Sequence, residues 1–288
     1  MTKQAKTCVF YICGAIINLS SCTVSTAAHT VKNLSRFRLP TTFTSQEETD
    51  PMQNRNLSLW DAAAEKFREI QSGSVHSEHN YAYVKQLLPL LAPAGKRVLD
   101  AGCGYGGYSR IFLDAGAAVT MLDGSAEMLR LAAESCPEAE AVQATLEQPL
   151  SFADGSFDIC FCNQVLMDLP DITHFFPEAA RVLTARGRLF VSIVHPCFYD
   201  APWNKDEQGN RVSKTMHRYL SQYILENHAG KSGAWGNTLH FHRPLHSYFN
   251  AAADAGLRLV RMDEPCNHFD AHAGEEFPLF LHLLFEKP

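Results

Sequence analysis

Residues 98–107 read Val-Leu-Asp-Ala-Gly-Cys-Gly-Tyr-Gly-Gly, an apolar run that ends in an acid and then a loop with four glycines. The apolar run predicts a short buried strand, and the glycines predict a tight turn into a helix. Glycine has no Cβ, so the backbone of such a turn can bend sharply and approach a bound molecule closely. A strand, a turn and a helix in this order are typical of α/β proteins.

The chain on both sides of this loop alternates between strands and helices. Helical patterning begins at Ser58 and again near His79, before the first strand. A turn at 185–187 precedes the last of five short apolar strands. The predicted strands are 97–100, 118–123, 141–144, 157–162 and 189–194. This succession predicts an α/β fold with a doubly wound, Rossmann-like and mostly parallel sheet.

The end of the chain departs from this alternation. Residues 257–262 and 279–285 are two strand-like runs with no helix-length segment between them, so we expect them to form an antiparallel edge of the sheet. With them the sheet has seven strands. Residues 56–288 then make one domain, in which about 197–242 form a lid insertion, because long insertions in compact domains tend to be lids or binding elements.

Composition limits the classes of function. The chain has 288 residues, 46% of them hydrophobic and 19% charged, which excludes wholesale disorder. The net charge of -6 and the lack of a basic block argue against a nucleic-acid partner. Nine cysteines, several of them in apolar strands, favour buried thiols over a disulfide framework.

Residues 1–55 differ from the rest and are interpreted as a signal-like or disordered extension. Residues 1–28 resemble a secretory leader, and Cys22 stands where a lipoprotein would be lipidated. Residues 29–56 lack periodicity and are expected to be unstructured. An exported, lipid-anchored binding protein is therefore one hypothesis. The alternative, which we favour, is a cytoplasmic enzyme whose conventional sequence begins at Met52; export and a mis-assigned start both stay open, and no membrane partner is expected for the domain itself.

Two acids near the glycine loop point to the ligand. Gly102, Gly104 and Gly107 fit the spacing G-x-G-x-x-G, which alone suggests a dinucleotide. A carboxylate at Asp100 would repel a pyrophosphate and attract an ammonium group. Asp123 ends the second strand and can accept both hydroxyls of a ribose. S-adenosylmethionine has a ribose, a cationic amino-acid end and no phosphate; a nicotinamide-dependent oxidoreductase is the alternative on the same loop.

The motifs in order resemble the class I S-adenosylmethionine-dependent methyltransferases, in particular the small-molecule and quinone-biosynthesis enzymes. The stretches that carry the resemblance are 98–106, 122–125, 152–158, 163–170 and 183–189. Where the family usually has an acid after the third strand, this chain has Thr145, and Glu147 is the alternative contact for the adenine amino group. The resemblance implies a cofactor site at Asp100, Gly102, Cys103, Gly104, Asp123, Gly124, Thr145, Leu146 and Asn163.

The expected reaction is methyl transfer to an O or N atom of a small aromatic or apolar molecule. His195, after the fifth strand, is a candidate general base, with a structural role as the alternative. The aromatic lid insertion and the segment after it supply the substrate candidates. These are Met167, Tyr199, Trp235, His242 and Arg243. His240, His242 and His246 have no nearby cysteine that would complete a zinc site, so no metal is expected. The sequence predicts no oligomeric state.

Overall fold

The computed structural model describes residues 10–12, 15–17, 46–73, 75–226, 235–265 and 277–288, and within these ranges it describes side chains from Arg55 onward except at residues 75–77 and 79. The chain divides into two compact units, Met1–Phe43 and Thr44–Pro288. In the first unit, β1 (Phe10–Ile12) and β2 (Ala15–Ile17) pair antiparallel. No helix in the described ranges is long and apolar enough to cross a membrane.

The second unit contains six helices and eleven strands in its described part. The helices are α1 (Gln46–Gln71), α2 (Val75–Leu91), α3 (Gly107–Asp114), α4 (Ala126–Ser135), α5 (Phe175–Val182) and α6 (Leu245–Asp254). The strands are β3 (Arg97–Ala101), β4 (Ala118–Asp123), β5 (Glu140–Gln143), β6 (Phe157–Asn163), β7 (Leu183–Val194), β8 (Trp203–Lys205), β9 (Arg211–Lys214), β10 (Tyr223–Leu225), β11 (His240–His242), β12 (Arg258–Asp263) and β13 (Phe280–Glu286).

Seven strands form one sheet in the order β12-β13-β7-β6-β3-β4-β5. The pairs among β7, β6, β3, β4 and β5 are parallel, and β13 pairs antiparallel with both β7 and β12. The predicted fold class is thereby confirmed. The predicted antiparallel edge is confirmed as well, with β12 outermost and β13 between it and β7.

The two faces of the sheet are both covered, and alternate residues of each strand enter different cores. Along β6, Ile159 and Phe161 pack on the face that carries α2, α3 and α4, whereas Cys160 and Cys162 pack on the face that carries α5 and α6. All four are nearly fully buried. Burial on both faces is what produces short, continuously apolar strands in the sequence.

Two element boundaries differ from prediction. The helix expected at Ser58 begins at Gln46, so the expectation that residues 29–56 are unstructured is wrong for 46–56. These residues lack hydrophobic periodicity, but glutamates lie in the first turn, where negative charge favours a helix. The turn expected at 185–187 lies within β7, where Arg186 has a φ of 64° and the register against β6 shifts. The lid insertion contains two antiparallel pairings, β8 with β9 and β10 with β11.

Candidate active site

A cavity of about 520 Å³ lies at the carboxyl ends of β3, β4 and β6. This is the edge at which open α/β sheets bind ligands. Its walls come from α1, α2, the loops after these strands and the lid insertion. The predicted site residues that line it are Gly102, Cys103, Gly104, Asp123, Gly124, Thr145, Leu146, Asn163, Met167, Tyr199 and Trp235.

The glycine loop forms the floor of the cavity. Gly102 has a φ of +81°, and a Cβ there would overlap the methyl groups of Val165, with Cγ1 at 2.8 Å. Gly104 has a φ of +53° and no atom near the position of a Cβ, so its bare backbone faces the cavity. The loop is held down by the Gly102 N–H, which donates to the Leu122 carbonyl at 2.7 Å. The backbone at this point therefore leaves room for a ligand.

Asp123 is fixed by the backbone around it. The N–H of Gly104 donates to Oδ2 and the N–H of Ser125 donates to Oδ1, both at 2.9 Å. Burial raises the pKa of this carboxyl to about 6, although the two donors oppose the rise. Each carboxylate oxygen accepts more than one hydrogen bond, so Asp123 retains capacity for two hydroxyl groups of a ligand.

Asp100 lies beneath the loop and does not line the cavity. It is 2% exposed, and its Oδ2 accepts a hydrogen bond of 2.6 Å from the Ser109 hydroxyl of α3. Burial raises the pKa of Asp100 to about 7. Its contact with a ligand's ammonium group, expected from the sequence, would have to be indirect.

The two candidates for the adenine contact lie together in the loop after β5. Thr145 and Glu147 both line the cavity, and the Glu147 N–H donates to Thr145 Oγ1 at 3.2 Å. Glu147 is 6% exposed, and its Oε1 accepts from the Asp171 N–H at 3.0 Å. The sequence spacing assigned the adenine contact to Thr145. In the structure, Glu147 lines the same part of the cavity and is placed to make that contact as well.

His195 lies outside the cavity. Its ring is 2% exposed, its Nδ1 accepts from the Cys197 N–H at 3.1 Å, and its Nε2 is 2.7 Å from Glu264 Oε1. Burial lowers the pKa of this imidazole against the opposing effect of Glu264. Both ring nitrogens are engaged, which favours the structural role.

His242 and Arg243 also face away from the cavity. The His242 ring stacks on Tyr223 at 4.5 Å, and the buried Arg243 guanidinium donates to the carbonyls of Leu166, Leu169 and Pro170. These carbonyls belong to the loop after β6, which lines the cavity. Arg243 thus supports the wall from behind.

Four aromatic side chains form one wall of the cavity, and of these the sequence analysis singled out only Trp235. Phe67 of α1 packs edge-on against Trp60 at 5.2 Å, Trp235 at 5.4 Å and Tyr105 at 6.1 Å. We call these four residues the aromatic wall. Trp60 and Phe67 are seven residues apart, so the sequence could have predicted that they share one face of a helix. It could not have predicted that this face lines a cavity.

A polar pair was also missed. Asp168, in the 3₁₀ turn Leu166–Asp168 after β6, has its Oδ1 3.0 Å from Nε2 of His240 on β11, and both residues line the cavity. The two residues are far apart in the chain, and only the folded lid brings them together. Within the described ranges, no group of three or more His, Cys, Asp or Glu side chains could hold a metal ion.

The site residues fit S-adenosylmethionine. A bare glycine backbone, an anchored carboxylate at the end of β4 and the polar side chains of Thr145 and Glu147 are the kinds of group that its amino-acid end, ribose and adenine would require. The lining residues described include no Lys or Arg.

Comparison with known proteins agrees with this geometry. Residues 99–191 match the family of methyltransferase domains. The chain is 39% identical over 98 residues to malonyl-[acyl-carrier protein] O-methyltransferase of Erwinia billingiae, covering 34% of this chain and 39% of that protein. It is 38% identical over 112 residues to demethylmenaquinone methyltransferase of Tropheryma whipplei, covering 38% and 47%. The chain thus spans less than half the length of these curated relatives.

Solved structures extend the likeness to most of the fold. An S-adenosylmethionine dependent methyltransferase from Mesorhizobium loti superposes with a TM-score of 0.59 at 24% identity, covering 69% of this chain and 97% of that one. A structure from Listeria monocytogenes gives a TM-score of 0.60 at 21% identity, covering 72% and 99%. Residues 99–191 thus match methyltransferase domains, and the seven-stranded sheet that contains them has the fold of these two solved structures.

Proposed function

We propose that the protein is an S-adenosylmethionine-dependent methyltransferase that acts on an O or N atom of a small molecule. The observation that carries this is Asp123, whose carboxylate ends β4, lines the cavity and is anchored by the glycine loop. The match to methyltransferase domains supports it, and no feature of the site favours the oxidoreductase alternative.

The cavity residues divide the cofactor between them. Asp123 would accept hydrogen bonds from the ribose hydroxyls, and Gly102 and Gly104 would let the amino-acid end approach the backbone. Thr145, Leu146 and Glu147 would border the adenine, with Asn163 and Met167 near the centre of the cavity. When bound, the cofactor supplies an electrophilic methyl group on a sulfonium.

The chain's own contribution to rate would be positioning and exclusion of water. The aromatic wall and residues of the lid insertion line the cavity, and α1 forms one side of it. The side chain of Asn56 ties these parts together, since its Nδ2 donates to the Asp168 carbonyl at 2.7 Å and its Oδ1 accepts from the Leu239 N–H at 2.8 Å. A cavity of this size suits a small acceptor. We place the enzyme in the cytoplasm, because the cofactor is made there.

Titration of the full chain with S-adenosylmethionine and S-adenosylhomocysteine tests the proposal. We expect both to bind, and Asp123→Asn to weaken both by about tenfold to a hundredfold, because two hydrogen bonds to a charged acceptor are lost or weakened. Asp114→Asn is the matched control, since Asp114 is 66% exposed and pairs with Arg110 on the surface of α3. Absence of binding to the wild-type chain, or unchanged affinity in Asp123→Asn, would contradict the proposal.

A further inference from the structure

The first turn of α4 holds two carboxylates, one that lines the cavity and one that belongs to α1. The N–H of Ser125, which caps the helix, donates to Oδ1 of Asp123 at 2.9 Å. The N–H of Glu127 donates to Oδ1 of Asp61 at 3.2 Å. The N–H groups at the start of a helix have no partner within the helix, and they attract negative charge. One helix end therefore fixes both Asp123 and Asp61.

The hydroxyl of Ser125 lies between these two carboxylates in the hydrogen-bond network. It donates to Oδ1 of Asp61 at 2.6 Å and accepts from the Met128 N–H at 3.1 Å. A hydroxyl has one proton, so the bond to Asp61 decides where Ser125 donates. Ser125 is buried, and its own N–H bonds Asp123. Without Asp61 the hydroxyl would be free to donate to Asp123 and to occupy an acceptor site that a ribose would use.

Packing holds α1 against the same turn. Leu57 is four residues before Asp61 and lies on the same face of α1. Its Cδ2 is 2.6 Å from the point where a Cβ of Gly124 would lie, so Leu57 packs directly on the residue between Asp123 and Ser125. Of the two α1 residues, only Leu57 is among the described residues that line the cavity. Asp61 would therefore act on a ligand through the turn that it holds.

The charge of Asp61 has the opposite effect from its hydrogen bonds. Burial raises the pKa of Asp123 to about 6, and the charges of Asp168 and Asp61 add to the rise, while the N–H groups of Ser125 and Gly104 oppose it. A like charge disfavours the ionised carboxylate, which is the form that accepts hydrogen bonds best. The benefit of Asp61 to the site must therefore come through the hydrogen bonds of the turn.

We propose that Asp61 of α1 is a positioning residue for the cofactor site, and that it engages the Ser125 hydroxyl so that the carboxylate of Asp123 stays open to the ribose. This inference rests on the proposed function, because it concerns the binding of the same cofactor. It makes cofactor affinity depend on a side chain outside the cavity, on the helix that forms one side of it.

Calorimetric titration of the full chain with S-adenosylhomocysteine tests this inference, at about pH 8, above the pKa of Asp123. We expect Asp61→Ala to weaken binding by about tenfold, because the ribose loses roughly one hydrogen bond to the carboxylate. Alanine is the best helix former, so α1 itself should persist. Asp61→Leu, which has a similar branched shape without an oxygen, is measured in parallel and should give the same loss.

Two further variants separate the hydrogen bond from the contact between helices. Asp61→Asn keeps an oxygen that accepts from Ser125, so its affinity should stay within about threefold of the wild type. Glu65→Gln is the control, since Glu65 lies one turn further along α1, is 60% exposed and pairs with Arg130 of α4. It weakens a link between the same two helices without touching Ser125, and it should leave the affinity unchanged.

The double variant Asp61→Ala/Ser125→Ala distinguishes positioning from general support of the fold. Removal of the hydroxyl as well takes away the competing donor, so the affinity should return to within about threefold of the wild type. The helix cap at Ser125 is lost at the same time, so this variant should unfold at a lower urea concentration than Asp61→Ala. Tighter binding in a less stable protein is an outcome that a merely structural role of Asp61 would not produce.

The outcomes separate the two proposals. If S-adenosylhomocysteine does not bind the wild-type chain, or binds Asp123→Asn equally well, the proposed function fails and this inference fails with it. If it binds as proposed and neither Asp61→Ala nor Asp61→Leu weakens it, only this inference is overturned. A double variant that binds no better than Asp61→Ala would also overturn it, since Asp61 would then not act through the Ser125 hydroxyl.

Discussion

At the scale of single residues, the site depends on positions where no side chain fits. Gly102 adopts a positive φ, and a Cβ there would overlap Val165 of the loop after β6. Gly124 is similarly confined, because a Cβ would lie 2.6 Å from Cδ2 of Leu57 on α1. Val165 and Leu57 therefore approach these two glycines more closely than a residue with a Cβ would allow.

Substitution of Gly102 by alanine should separate crowding from backbone strain. We expect Gly102→Ala to lower the free energy of unfolding by about 2–4 kcal/mol, the sum of left-handed strain and overlap with Val165. Gly256→Ala is the matched control, since Gly256 has a φ of +76° and no atom within 4 Å of the Cβ position. It should cost only about 1 kcal/mol. Urea denaturation measures both, and equal losses would show that overlap with Val165 does not matter.

The sequence was informative where a residue's role depends on its near neighbours. The glycine loop and Asp123 were predictable because a strand, a turn and a helix follow each other within one segment. His195 and Arg243 were not, because their surroundings come from distant segments, Glu264 for the first and the carbonyls of residues 166–170 for the second. Histidine and arginine as residue types suggested a catalytic or substrate-binding role at these positions. Only the folded structure shows the contacts that each side chain makes.

At the scale of elements, the loop after β6 is the least regular part of the cavity wall and the most heavily braced. Gln164 has a φ of 60°, and the 3₁₀ turn Leu166–Asp168 follows it. Arg243 donates to three of the loop's carbonyls, and Asn56 of α1 donates to a fourth. Backbone groups that no helix or strand satisfies are thus satisfied by two buried side chains.

Arg243→Lys should weaken this brace without removing the charge. A lysine ammonium cannot reproduce the planar arrangement of donors, so buried carbonyls lose partners and the free energy of unfolding should fall by about 2–3 kcal/mol. Arg258→Lys is the control, because Arg258 is 67% exposed and pairs with Glu286 at the surface. Chemical denaturation measures the difference, and an equal effect of both substitutions would argue against the brace.

The elements themselves were predicted unevenly for a physical reason. The five parallel strands were recognisable because burial on both faces makes them continuously apolar. The extension of α1 to Gln46 and the short strands of the lid insertion were not, because neither carries a hydrophobic period. Their positions are set by contacts with the rest of the fold.

At the scale of the whole molecule, the interior holds ionisable groups that respond to acid in opposite directions. His282 lies inside the sheet on β13, is 2% exposed, and neither of its ring nitrogens has a hydrogen-bond partner in the described part of the chain. Burial lowers its pKa to about 4. Asp100 and Asp123, whose pKa values burial raises to about 7 and about 6, act the other way. The change in the free energy of unfolding at acid pH is therefore the difference between the contribution of His282 and those of Asp100 and Asp123.

Replacement of His282 isolates one side of that balance. Between pH 6.5 and pH 4 the unfolded chain protonates this histidine and the folded chain does not, so its contribution to stability falls as pH falls, by about 3 kcal/mol in total. We therefore expect His282→Leu to become progressively more stable than the wild type over this range. His246→Leu, at an exposed position of α6, is the control.

Urea denaturation at several pH values measures the effect. A constant difference between His282→Leu and the wild-type chain from pH 7 to pH 4.5 would contradict the lowered pKa. The difference between the two proteins is the useful quantity, because the contributions of Asp100 and Asp123 are the same in both.

The place of β13 has a consequence for the order of assembly during synthesis. This strand follows every other strand of the sheet in the chain, yet it lies between β7 and β12 and pairs with both. Before residues 280–286 are synthesised, β7 and β12 lack the strand that lies between them. Each then has an unpaired edge that can pair with another chain. During synthesis the glycine loop is therefore made well before the sheet that carries it can close.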